Sequence, residues 1–166
     1  MSKDSMTSEL RRIEEDAIHS AKGHFESARI WSWVHYGVGL PSAILSGWAG
    51  LEAIQQDAKF AFILAMLGAA LMALNTFLNP SEKAERHHSA GNQYKSLQNQ
   101  SRIFREVRLS ALDDTEAMEE FTALAATRDQ LNEASPAPMR QGFLWGRKGI
   151  EGGEATYAVD KKGGKK

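Results

Sequence analysis

Cysteine is absent from these 166 residues, so no disulfide framework holds the chain, and its mass suits a reducing compartment. A strong excess of either charge is absent too. Twenty basic residues stand against 21 acidic ones, for a net charge of −1, which excludes bulk attraction to nucleic acid; no nucleic-acid partner is expected. No alternating apolar–polar stretch marks a strand, and no internal repeat is found. Catalytic signatures are missing: there is no serine elbow, P-loop, dinucleotide fingerprint or zinc-ligand spacing, so the chain does not read as an enzyme. No secretory signal peptide is read either, because the first apolar run starts near residue 30 without a small-residue cleavage site ahead of a mature domain.

The most telling absence is of charge in two places. Residues 30–51 and 60–78 contain no Asp, Glu, Lys or Arg, and only the eight residues 52–59 separate them. A bilayer core about 30 Å thick is crossed by about 20 apolar residues of helix. Backbone polar groups in hydrocarbon must be satisfied within the segment, so the two runs predict two membrane-spanning helices in an antiparallel hairpin. The whole-chain mean hydropathy of −0.41 averages these runs with a very polar remainder. The second run is the more apolar, with only Asn75 and Thr76 polar. The first holds His35, Pro41, Ser42, Ser46 and four glycines, but Trp31, Trp33 and Tyr36 cluster at its start, where amphipathic rings favour the interface. A soluble bundle burying both runs would need other apolar helices to enclose them, and the chain has too few.

Arg11, Arg12, Lys22 and Arg29 precede the first run, and Lys83, Arg86 and Lys95 follow the second, whereas the connector has only Lys59 beside Glu52 and Asp57. The positive-inside bias therefore predicts a multi-pass protein of a bacterial inner membrane with both termini cytoplasmic. Amphipathic helices flank the hairpin, giving an all-α fold in a single domain, 1–160. Before it, Leu10, Ile13, Ala17, Ala21, Phe25 and Ala28 form one apolar stripe over about 8–29, opened by Thr7 or Ser8; it runs directly into the first span, so one long helix is expected, with Pro41 as the place for a bend. After it, Asn79-Pro80 caps a helix over about 80–109, with Glu82 completing a capping box and His87, Gly91 or Ala90, Tyr94, Leu97, Ser101 and Phe104 on one face. A further helix over about 115–132, capped by Asp114, buries Met118, Phe121, Leu124, Ala125 and Leu131. A last short element holds Phe143, Leu144, Trp145, Ile150 and Tyr157, and 161–166 reads as a disordered tail.

Candidate sites are few. Glu82, Glu85, His87 and His88 are the best metal-binding set, but neighbouring helical histidines point about 100° apart. They read as polar positions just below the membrane, and no metal or other cofactor is expected. The glycine-rich stretch 146–153, GRKGIEGG, lacks the strand-to-helix context of a phosphate cradle and reads as a flexible turn. Within the spans, His35, Gly39, Ser42, Ser46 and Gly50 succeed one another at steps of three and four, and Gly68, Met72 and Thr76 at steps of four on the second helix. Such stripes are either surfaces for close helix packing or, in an oligomer, the polar lining of a path. Two spans cannot enclose a pore alone, so conduction requires a homo-oligomer.

Three stretches carry a family resemblance when taken together: IEEDAIHSAKGHFESARIW (13–31), TFLNPSEKAERHHSAGNQYKSLQNQSRIFREV (76–107), and RDQLNEASPAP (128–138) followed by RKGIEGGEATYAVD (147–160). Around a tight two-helix hairpin, they resemble the SLATT family, bacterial two-transmembrane effector domains that associate with SMODS nucleotidyltransferases and SLOG domains. The resemblance covers about residues 8–160. It implies a membrane effector of a prokaryotic conflict or antiviral system, one that assembles and permeabilises the inner membrane when triggered. The trigger would be a cytoplasmic sensor or a nucleotide-second-messenger synthase encoded nearby. The resemblance brings no catalytic residues. The alternative is a non-conducting membrane anchor whose cytoplasmic helices recruit a partner.

Overall fold

The computed structural model describes residues 2–55 and 57–154. The tail 161–166 and Tyr157 of the last apolar element lie outside these. Among the described residues all regular structure is helical: α1 (Lys3–Ile54), α2 (Ala58–Leu78), α3 (Pro80–Ile103), a π-helical turn (Phe104–Arg108), α4 (Asp114–Ala134) and α5 (Arg140–Glu151). Contacts group the chain into two compact units, one made of residues up to Ser27 with those from Arg86 onwards, the other of Ala28–Glu85.

α1 runs 52 residues, through Pro41. Its first turn is closed by Ser2, whose hydroxyl accepts the Ser5 N–H at 3.3 Å. Thr7 and Ser8, the expected openers, instead donate back to the Lys3 and Asp4 carbonyls one turn earlier, at 2.9 and 3.1 Å. Short hydroxyl side chains serve either purpose, and the more upstream serine takes the cap.

In the first unit the stripe Met6, Leu10, Ile13, Ala17 and Ala21 of α1 packs against Tyr94, Leu97 and Phe104 and against Ala117, Leu124 and Leu131 of α4. The π-helical turn is marked by the Leu109 N–H reaching the Phe104 carbonyl at 2.9 Å. The turn buries Phe104 and holds two ion pairs to neighbouring helices. Arg105 donates to both carboxylate oxygens of Glu14 on α1, at 2.7 and 3.0 Å, and Arg108 pairs with Glu120 on α4. Wide turns of this kind arise where side chains must be re-aimed at the cost of regular hydrogen bonding. α4 is capped by Asp113 rather than Asp114: the Asp113 carboxylate accepts the Thr115 and Glu116 N–H groups at 2.8 and 2.9 Å. Either aspartate fits the pattern, and Asp113 is the one with extended backbone. Residues 146–151, expected within a flexible turn, are instead the second half of α5; the turn is confined to the residues after Glu151, with Gly153 at φ 88°.

In the second unit, α2 opens on Asp57, whose carboxylate accepts the Phe60 N–H at 3.2 Å. It closes on Asn79, in the left-handed region at φ 44°. Asparagine tolerates that conformation better than most residues. The Asn79 side chain bonds Glu82, and Pro80, which has no N–H to lose, opens α3. Large apolar side chains here point outward: Phe77 is 87% exposed, and Ile44, Phe62 and Met66 are also exposed. Among the described residues, one helical stretch, 58–108, is long and apolar enough to cross a membrane, through its α2 segment, and only 11% of its apolar window is buried. The run 30–51 of α1 does not reach the same apolarity, because His35, Pro41, its serines and its glycines dilute it.

Candidate functional site

Helix α1 meets α2 through small residues. Ser42 is fully buried and donates its hydroxyl to the Gly68 carbonyl at 2.9 Å. Ser46, one turn later, donates to the Ser42 carbonyl at 2.9 Å. A Cβ on Gly68 would lie 2.8 Å from Ser46 Oγ and 3.3 Å from the Ser42 carbonyl oxygen, so the approach requires glycine there. Toward the other end of the seam, a Cβ on Gly39 would find Asn75 Nδ2 at 3.8 Å; at the connector end, the Trp48 and Phe60 rings meet edge to face, centroids 6.4 Å apart. The order of these contacts makes the two segments antiparallel.

The eight residues of the stripe thus divide. Ser42, Ser46 and Gly68 form the seam, and Gly39 lies against Asn75. His35 buries its Nδ1 without a partner, as Asn75 buries its Oδ1. Gly50, Met72 and Thr76 face outward instead; nothing lies within 4 Å of a Cβ at Gly50, and the Thr76 hydroxyl turns back to the Met72 carbonyl at 3.0 Å. Asn75 is a seam residue that the stripe omits, and its signal was its position: it falls seven residues after Gly68, two helical turns on.

At this seam the Trp31 ring also carries Lys83 Nζ, 4.4 Å from its centroid. An indole with a cation over its face suits the boundary between apolar and aqueous surroundings.

The first unit holds a second polar cluster that sequence reasoning missed. His24 and His87 are buried, with their Nδ1 atoms 3.0 Å apart. Tyr94 stacks on His24 at 5.5 Å between centroids, and its hydroxyl donates to Asn132 Oδ1 at 2.9 Å. Burial, with a smaller contribution from His87, lowers the His24 pKa to about 4, and burial lowers that of His87. Both rings are therefore neutral at pH 7, one Nδ1 donating to the other. The signal was available: His24 stands three residues after Ala21 and seven after Ala17, on the buried face of α1. His88 diverges from His87, bonding Asn92 at 3.2 Å and meeting Phe25 edge to face. Among the described residues, no group of three or more His, Asp or Glu side chains could hold a metal ion. An open cleft of about 610 Å³ lies nearby, lined by Asp16 and His19 of α1, Asn132 of α4, and Phe143 and Arg147 of α5.

Comparison with protein-family models, with curated proteins and with solved structures returns no match for this chain.

Proposed function

We propose that the chain is a two-span membrane effector of the SLATT type, anchored in a bacterial inner membrane with both termini cytoplasmic. The observation that carries this reading is the outward apolar surface of α2 over its charge-free run 60–78, with only 11% of the apolar window buried. A soluble monomer rarely leaves so large an apolar area in water, whereas hydrocarbon accepts it. The segment 30–51 is too polar on average to be favoured alone. Ser42 and Ser46, however, spend their hydroxyls on carbonyls at the seam, so it crosses as the second member of a hairpin.

Triggered by a cytoplasmic partner or a nucleotide signal, copies of the hairpin assemble and permeabilise the membrane. Because Ser42 and Ser46 are committed to the seam, contacts between copies fall to the outward residues Gly50, Met72 and Thr76. Production of the protein together with its trigger should depolarise the inner membrane and stop growth. Cells that stay polarised while the protein is abundant, inserted and triggered overturn the effector reading.

One observation favours a second reading, a non-conducting anchor: the hydroxyls of Ser42 and Ser46, the polar groups that would line a path between copies, are used on carbonyls within one copy. Leucine at Thr76 and Met72 separates the two readings, because it should abolish depolarisation by an effector and leave an anchor's partner recruitment intact.

A further inference from the structure

We propose that α5 is an interfacial helix that docks on the anionic headgroup layer of the membrane crossed by α2. This rests on the membrane reading above. Two glycines one turn apart lay α5 on α1. A Cβ at Gly142 would lie 2.9 Å from the Ser27 nitrogen, and one at Gly146 2.9 Å from the Gly23 nitrogen and the Lys22 carbonyl carbon. The Ser27 hydroxyl accepts the Met139 N–H at 3.0 Å, which fixes the entry to α5. The helix therefore has one face against the α1 backbone. At about 100° per residue, Leu144 points away from that face, with Arg140, Lys148 and the Arg147–Glu151 pair (2.9 Å) around it; Phe143 and Trp145 stand at the edges of the contact, the Phe143 ring lying against Gly23. The three apolar side chains are each 42–46% exposed.

Charge selects the occupant. Residues 140–166 contain seven Lys and Arg against three Asp and Glu, while the preceding 139 residues contain 13 against 18. A basic segment with exposed Phe, Leu and Trp matches an interface whose outer layer is anionic and whose depth, about 5–10 Å below the headgroups, is apolar. Order along the chain agrees: Ser27, whose hydroxyl holds the entry to α5, stands three residues before the charge-free run 30–51 in the sequence. Long basic side chains can extend toward phosphates while Leu144 enters the acyl boundary.

The chain has no cysteine, so single nitroxide labels can be placed on the full-length protein through Leu144→Cys and, on α2, Ile63→Cys. Both are read in lipid nanodiscs of phosphatidylcholine with and without phosphatidylglycerol, using oxygen and a water-soluble nickel chelate as relaxing agents. With phosphatidylglycerol present, the label at 144 should respond to oxygen and be protected from nickel. Replacing Arg140, Arg147 and Lys148 by Gln should lower the docked-to-undocked ratio by about two orders of magnitude, at about fivefold per charge. If position 144 is open to nickel while position 63 responds to oxygen, α5 does not dock on lipid and the membrane reading stands. If position 63 is itself open to nickel, the membrane reading falls and this proposal with it. If 144 is shielded from both agents, a protein surface such as a second copy covers α5, and lipid docking is refuted.

Discussion

Gly68→Ala is the sharpest perturbation of the seam between α1 and α2. The added methyl would stand 2.8 Å from Ser46 Oγ, 3.3 Å from the Ser42 carbonyl oxygen and 3.4 Å from the Ser46 nitrogen. The first neighbour is a hydroxyl that can rotate, at the cost of its 2.9 Å bond to the Ser42 carbonyl. The other two are backbone and cannot move without the helix, so the helices must part by a few tenths of an ångström. The Ser42 Oγ bond to the Gly68 carbonyl lengthens with them. Overpacking of a close contact costs about 1–3 kcal/mol, and an interhelical hydrogen bond in a membrane contributes about 0.6 kcal/mol on average. A loss of about 1–2 kcal/mol is expected for Gly68→Ala. Reversible unfolding of the full-length protein in mixed micelles, followed by helical circular dichroism, measures it. Ser46→Ala in the Gly68→Ala background removes the nearest neighbour and should recover part of the loss, a coupling that a double-mutant cycle reads directly. The control is Gly47→Ala, where nothing lies within 4 Å of the new methyl and no loss is expected. If Gly68→Ala is as stable as Gly47→Ala, the two backbones do not approach as described.

The remaining predictions concern the first unit. Because the folded state lowers the His24 pKa from 6.5 to about 4, its stabilisation is complete above pH 6.5 and is lost as pH falls toward 4; by pH 5 the loss is about 2 kcal/mol. Hydrogen exchange of α1 and α3 amides, corrected for intrinsic rates, should show that loss in the native chain and much less of it in His24→Gln; equal pH dependence in both contradicts it. Glu14→Gln removes the charge that faces Arg105, where both side chains are 13% exposed, and should cost about 1.5–3 kcal/mol in the same unfolding measurement. Gly146→Val sets a branched side chain against the Gly23 and Lys22 backbone and should release α5, raising exchange at 140–151 while α4 stays protected.

Helices were legible from this sequence because they are written in periodic form. The stripe from Leu10 to Ala21 recurs at steps of three and four and is the buried face of α1. At the Asn79-Pro80 junction the start of α3 was legible because proline has no N–H to lose, but Asn79, expected as the N-cap of that helix, is the left-handed C-cap of α2. Boundaries were read less well where two residues offer the same chemistry. Asp113 and Asp114 both present a carboxylate at the start of α4, and only the backbone conformation selects between them. The stretch 146–153 was misread for a different reason. Its glycines look like conformational freedom, but Gly146 is in the helix for lack of volume, so that α5 can touch α1. Glycine at a turn and glycine at a contact are the same letter, and only the partner helix distinguishes them.

The candidate site follows the same division. A stripe of small and polar residues at helical spacing states that something approaches closely, and Ser42 with Gly68 bears that geometry. It does not state what approaches. A second helix of the same chain, a second copy and a column of water all tolerate serine and glycine, and hydropathy separates none of them. What divides the stripe is the phase of α2. A helix of 3.6 residues per turn drifts about 40° over each four-residue step, so positions at strict steps of four leave the contact face within two turns. Gly68 lies on that face, whereas Met72 and Thr76 have rotated outward and Asn75, seven residues on, has returned to it. The histidine pair illustrates the converse. His24 keeps the phase of the apolar stripe, so its burial is set by the helix, and a buried imidazole needs a partner for its ring nitrogen. The partner, His87, lies 63 residues away in sequence, a distance over which periodicity carries no information.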